Sequence, residues 1–189
     1  MSTDVVADPP VVTGEGGGPE QCWPLPTDEQ SLLHLIELCF GEHWRGCFFG
    51  IMVPGAAWEV AAPNAPERIS LSNGYVTVDF GPWHFHLCIG EFTSDDPESA
   101  RTRRCSRAEL YRRIGKDDRP TSWGVRLFNG NGQQMMTLLC PNPFLTDDQK
   151  VRAGEPDWTR LELWDRLREH YLGLGSDPLD RQGKGFRQG

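Results

Sequence analysis

Two histidines and a cysteine alternate along the run His84-Phe85-His86-Leu87-Cys88, the segment of this 189-residue chain best suited to chemistry. The run follows Gly81-Pro82 and reads as a strand, and side chains on a strand alternate between faces. Trp83, Phe85, Leu87 and Ile89 then share one face, which suits a packing layer, and His84, His86 and Cys88 share the other. Solvent-facing strand positions usually carry Thr, Lys, Glu or Ser, so imidazoles there point to a ligand or a metal. The plainer reading is that the histidines are only the polar half of a half-buried strand.

Spacing limits the metal version. Positions i and i+2 lie roughly 7 Å apart along a strand, so His84 and His86 can share one Zn or Fe ion. His84 and Cys88 stand roughly 13 Å apart, too far to share it. A third ligand must come from elsewhere, with Asp79, Glu91, His43 and Cys47 as candidates. A tetrapyrrole asks for less, since one imidazole serves as axial ligand and an arginine pairs with a propionate. If Trp123, Val125 and Leu127 join the core, Gly124, Arg126 and Phe128 face the same open side as the histidines. Gly124 would leave space for a flat ligand and Arg126 would supply the cation, unless Arg126 is spent on a cross-strand salt bridge. A third chemistry is a thiol nucleophile at Cys88, with His86 lowering its pKa. A cysteine in a strand is more often a small buried hydrophobe.

The elements that must position these residues are readable. Residues 1–20 are rich in Pro and Gly and are expected to be disordered, as is the tail 173–189, leaving one folded unit over 21–172. Thr27 and Gln30 form a capping-box pattern, and Leu32, Leu35, Ile36 and Cys39 give one helix face, with Gly41 as the stop. His34 falls off that stripe, as a surface residue would. Arg68–Leu71 and Tyr75–Phe80 flank Asn73-Gly74, a hairpin signal, and Ser122–Phe128 and Gln134–Cys140 flank a second. Ser106–Ile114 reads first as a short helix capped by Ser106 and Glu109, and second, through Leu110-Tyr111, as the entry to a strand. A closing helix places Trp158, Leu161, Trp164, Leu167 and Tyr171 on one side. The expected fold is α+β: an antiparallel sheet of about six or more strands with helices packed on one face.

Composition bounds the function. The net charge of -8 argues against a nucleic-acid partner. The cluster Arg101, Arg103, Arg104, Arg107, Arg112 and Arg113 reads first as a solvated segment and second as an anion site. Six cysteines without a Cys-x-x-Cys pair, no basic-apolar leader and no long apolar run predict a cytoplasmic protein off the membrane with reduced thiols.

The run Gly81–Leu87 resembles the His-x-His-Leu strand of cytoplasmic haem-utilisation proteins, the haem carriers and haem-degrading enzymes of bacterial iron uptake. Ser122–Gly130 resembles the strand and hairpin that follow it, and a Trp-opened helix from Trp158 occurs in the same order. The likeness covers about residues 67–172. It implies a large antiparallel sheet with helices against it, and a haem ligand. Phe92–Arg104 stands as an insertion, larger members carry two copies of the unit, and the family's axial histidine does not transfer to His84 or His86. The motifs His84–Gly90 and Ser122–Gly132 are closer still to an uncharacterised bacterial family.

These readings give three expectations. The first is a haem or tetrapyrrole-binding carrier or enzyme using His84, His86, Arg126 and Phe128. The second is a non-haem Zn or Fe protein with His84 and His86 as ligands. The third is a cofactor-free interaction domain presenting Phe80, Phe128, Met135 and Met136. A homodimer through an exposed sheet edge fits any of them.

Overall fold

Asn73 and Gly74 take positive φ values of 46° and 77°, the backbone of a tight hairpin turn. Their hairpin belongs to a computed structural model that describes residues 8–15, 17–53, 55–93 and 96–185. The strands run in order β1 (Val12–Thr13), β2 (Pro19–Leu25), β3 (Phe48–Gly50), β4 (Met52–Val53), β5 (Ala56–Ala57), β6 (Val60–Ala61), β7 (Arg68–Ser72), β8 (Tyr75–Asp79) and β9 (His84–Cys88). They continue as β10 (Cys105–Ile114), β11 (Pro120–Asn129) and β12 (Gln134–Leu139). The helices are α1 (Glu29–Ile36), α2 (Pro97–Arg103) and α3 (Glu162–Leu172).

Seven strands form one antiparallel sheet in the order β1-β2-β10-β11-β12-β3-β6. β7, β8 and β9 form a separate three-stranded sheet, and β4 pairs with β5 as a small hairpin. The α+β class therefore holds, with the strands divided among sheets.

Register sorts the large sheet into two faces. Leu110 pairs with Val125 and with Trp23, and Val125 pairs with Leu138. These four are buried together with Leu127 and Met136. Leu35, Ile36 and Cys39 meet Val125, Leu127, Met136 and Leu138, so the first helix covers this inner face. Trp164 of α3 packs edge-on against Trp23 with ring centres 5.8 Å apart. The three-stranded sheet closes the core elsewhere through Phe80 and Phe85, which surround Phe40 and Phe49.

Several local expectations change. The first helix is capped by Asp28, whose carboxylate accepts from the Ser31 N–H, and not by Thr27. It does not stop at Gly41: a π-helical turn carries it over Glu37–Glu42. Residues 105–114 form a strand and no helix. Arg112 occupies an inward position there between Leu110 and Ile114, and a charge at a core position hides the two-residue alternation.

The chain termini change more. Both expected disordered segments contribute to the folded unit: β1 and the start of β2 fall within residues 12–20, and Asp180 is completely buried. Asp180 accepts from the indole N–H groups of Trp123 and Trp164, each at 2.7 Å, and from Arg112 at 3.0 Å. Arg112 also meets Asp177 at 2.6 Å and Asp8 at 3.0 Å, so one buried guanidinium ties both ends of the chain to the sheet. Residues 1–7 and 186–189 lie outside the described residues.

Candidate functional site: the groove on the outer sheet face

The outer face of the large sheet carries its chemistry. Two-residue alternation brings Glu109, Tyr111 and Arg113 of β10 to this face. β11 adds Gly124, Arg126 and Phe128, β2 adds Glu20 and Cys22, and β12 adds Thr137. Arg126 stands opposite Glu109 on one side and Thr137 on the other, and Tyr111 stands opposite Gly124 and Cys22. Arg126 lies 2.5 Å from Glu20 Oε2 and 3.0 Å from Glu109 Oε1, and its guanidinium sits 4.0 Å from the Tyr111 ring centre. Glu20, fully buried, also holds the Arg113 Nε at 3.0 Å. Arg107 lies over the Phe128 ring at 3.3 Å and is anchored by Glu15 and Glu109.

Three arginines and three carboxylates therefore balance in charge, and each planar guanidinium is fixed by a carboxylate. Cross-strand pairing places them, and for the buried members Arg126, Glu20 and Glu109 mutual neutralisation offsets the cost of leaving water. Gly124 is needed because a Cβ there would meet Leu138 O at 2.3 Å and the Tyr111 ring at 2.9 Å. The space expected to admit a flat ligand beside Gly124 is filled by tyrosine.

Above this floor opens a cleft of about 830 Å³. Tyr111, Arg113, Arg126, Phe128 and Thr137 line its base, and Met52, Val53, Ala56 and Ala57 of the β4–β5 hairpin form an apolar wall. The Met52 N–H donates to Gln134 Oε1 at 2.7 Å, pinning the hairpin over the sheet. Tyr111, Arg113 and Met52 also border a second cleft of about 280 Å³ that runs towards Phe48, Leu139 and Asn142, so the two adjoin as one groove. Thr137 is buried, and its hydroxyl has no hydrogen-bond partner among the described residues. A buried hydroxyl left unpaired costs about 1–3 kcal/mol, which a bound acceptor or donor would recover. Burial pushes the Tyr111 phenol up, against the opposing pull of Arg126 and Arg113, so its hydroxyl stays protonated.

The sequence-predicted residues divide between two places. Arg126 and Phe128 belong to the groove. His84 and His86 are exposed on β9, in the other sheet, and line neither part of the groove. The expected constellation of both histidines with Arg126 and Phe128 does not come together. Trp123, Val125 and Leu127 do join the core as expected, but the open faces of β9 and β11 belong to different sheets. Arg126 makes the cross-strand ion pair that was its plainer reading.

Cys88 is buried, and its thiol points to the Gly90 carbonyl at 3.8 Å. Burial raises its pKa above the ordinary value despite Tyr75, Arg104 and Arg103, the opposite of an activated nucleophile. Among the described residues, no group of three or more His, Cys, Asp or Glu is arranged to hold a metal, so none of Asp79, Glu91, His43 or Cys47 completes a site with the two histidines. Phe80, Phe128 and Met136 are buried, which removes them as an exposed contact surface. The arginine cluster is no single patch: Arg112 is sealed in the core, while Arg107 and Arg113 flank the groove.

Sequence reasoning missed Glu20, Glu109, Tyr111 and Thr137. Glu109-x-Tyr111-x-Arg113 beside Gly124-x-Arg126-x-Phe128 carried the signal, once both segments are read as paired strands.

A family model matches residues 9–173, most of the described chain. The chain belongs to DUF7676, a family of unknown function. The family boundary at residue 9 agrees with the folded boundary set by the N-terminal strands. No curated protein matches the chain. Among solved structures, protein AGR_C_4470 from Agrobacterium tumefaciens is similar in fold. It is 14% identical with a TM-score of 0.50, over 80% of this chain and 71% of that one. That likeness extends to the fold alone. No helix in the described residues is long and apolar enough to cross a membrane.

Proposed function

We propose that this protein binds a flat, largely apolar molecule bearing an acid group, held in the groove on the outer face of the large sheet. A tetrapyrrole is the class to test first. The observation that carries the reading is the pairing of an apolar wall with a floor of planar polar groups, into which the unpartnered Thr137 hydroxyl is built. Volumes of about 300–1,000 Å³ with a few convergent polar groups are typical of small-molecule sites. Arg107 over Phe128 and Arg126 over Tyr111 are cation–aromatic pairs, a chemistry that also suits a conjugated ring. Arg113, held to Glu20 through its Nε and partly exposed at the groove, is the cation offered to the acid group.

The groove suits a macrocycle better than it suits iron. Of the usual haem-ligand residue types the groove offers Tyr111, Cys140 and Met52, and burial keeps the phenol and the thiol protonated, which makes both poor ligands. The two histidines stand elsewhere. The ring and its carboxylates therefore carry recognition, and metal-free protoporphyrin IX should bind about as well as hemin. Titration of the full chain with each, followed by tryptophan fluorescence, tests this. Saturable one-to-one quenching by both supports the reading, and absence of quenching by either removes it.

A further inference from the structure

His84 and His86 form a site of a different kind. Their rings stand 4.9 Å apart, centre to centre, with planes inclined at 68°. An imidazole bound to zinc places its ring centre about 3.2 Å from the ion. Two centres 4.9 Å apart then subtend about 100° at the metal, close to the angle a tetrahedral ion requires. A centre separation of 4.9 Å is within the range that two imidazoles on one zinc require.

Neighbouring strand residues prepare the pair. His86 Nδ1 lies 2.8 Å from the Thr77 hydroxyl on β8, its direct cross-strand partner. With Nδ1–H donating to Thr77, the lone pair sits on Nε2, and an outer hydrogen bond that fixes the tautomer is the usual support of a metal-binding histidine. Asp79 is the cross-strand partner of His84, but its carboxylate is engaged by the Gly81 N–H and lies 3.7 Å from Arg68. With that carboxylate turned to Gly81 and Arg68, the two imidazoles are the donors.

Two nitrogens fill half of a four-coordinate zinc, and the described residues hold no third ligand. Both rings are exposed on an outer strand of the three-stranded sheet, which leaves room for another molecule to approach. A two-fold axis through the ion would bring the same pair from another copy and complete four imidazoles. We infer that His84 and His86 are one half of a zinc site that a second copy of this chain completes. This site is separate from the groove, so it stands or falls independently of the ligand proposed there. The chain's net charge of -8 opposes self-association without the ion, which sharpens the contrast between loaded and chelated protein.

Light scattering coupled to size exclusion, with the full chain in EDTA and then in zinc chloride, tests this. The expected result is the 21.3 kDa mass in EDTA and twice that mass in zinc, with one zinc bound per two chains. His84→Ala and His86→Ala, both at exposed positions, should each abolish the zinc-dependent dimer while keeping the circular dichroism of the parent. Thr77→Val should weaken zinc binding about tenfold, as loss of an outer hydrogen bond does. Zinc bound one-to-one without a change in mass, a dimer that persists in EDTA, or a zinc-dependent dimer retained by both histidine variants would each overturn the inference.

Discussion

The Asp180 carboxylate lies 3.0 Å from the Arg112 guanidinium, and neither side chain is reached by solvent. Asp180 comes from a short helical turn near the C-terminal end and Arg112 from the middle of the large sheet, so this contact closes the fold from behind the groove. Asp180→Ala leaves a buried arginine short of a partner and two indole N–H groups without acceptors. Breaking a buried pair in this way costs about 3–5 kcal/mol. Urea denaturation should show that loss, and a variant within 1 kcal/mol of wild type, roughly the worth of a surface pair, would contradict the role assigned to Asp180.

Asp177 gives the same network a pH dependence. Burial alone would raise its carboxyl, but the Arg112 hydrogen bond, the Leu179 N–H and the Arg112 and Arg168 charges outweigh burial and hold it below the ordinary value. A depressed carboxyl contributes stability above its unfolded pKa of about 3.9, and that contribution fades as pH falls through the lower folded value. Stability measured between pH 5 and pH 2, spanning the ordinary carboxylate range, should fall less steeply in Asp177→Asn than in the parent. Equal slopes would deny Asp177 a part in the acid transition.

Gly124 tests the architecture of the groove floor. Gly124→Ala must push Tyr111 or the β12 backbone aside, since the added Cβ meets both below 3.0 Å. Overpacking of this kind costs about 1–3 kcal/mol. Thermal unfolding should register that loss, and ligand affinity should fall because Tyr111 and Arg126 move together. An unchanged melting temperature would mean the strands open there more readily than the register implies.

The cysteines should be inert in the native state. Burial pushes Cys105 up to about 11 and Cys47 to about 12, and Cys22, half-buried among Glu109, Arg126 and Glu20, also stands at about 11. A disulfide-exchange reagent at pH 8 should therefore react slowly with native protein and fully with all six thiols in denaturant. One thiol reacting at the rate of a free cysteine would reopen the nucleophile reading, with Cys88 its first candidate.

Much of the frame was legible in the sequence, and the reason is local. Asn73-Gly74 and the Asn129–Gly132 run announce their hairpins because few residues tolerate the backbone those turns require. The helix around Leu32, Leu35 and Ile36 shows in its spacing. Buried charge was harder to see. Arg112 and Glu20 occupy positions that an apolar pattern would fill, and their partners Asp180, Asp177 and Arg126 lie far away in sequence. Alternation put His84, His86 and Cys88 on one open face; the two histidines are exposed there, and Cys88 is buried. What it leaves open is which sheet a strand joins, and the groove follows from that choice.

The most direct test is a porphyrin titration comparing groove variants with strand variants. Arg113→Ala and Thr137→Val should each weaken protoporphyrin IX about tenfold, the value of one hydrogen bond to a charged or otherwise unpaired group. His84→Ala and His86→Ala should bind it as the parent does. The reverse pattern, with the histidine variants defective and the groove variants unaffected, would contradict the assignment of the ligand site to the outer face of the large sheet.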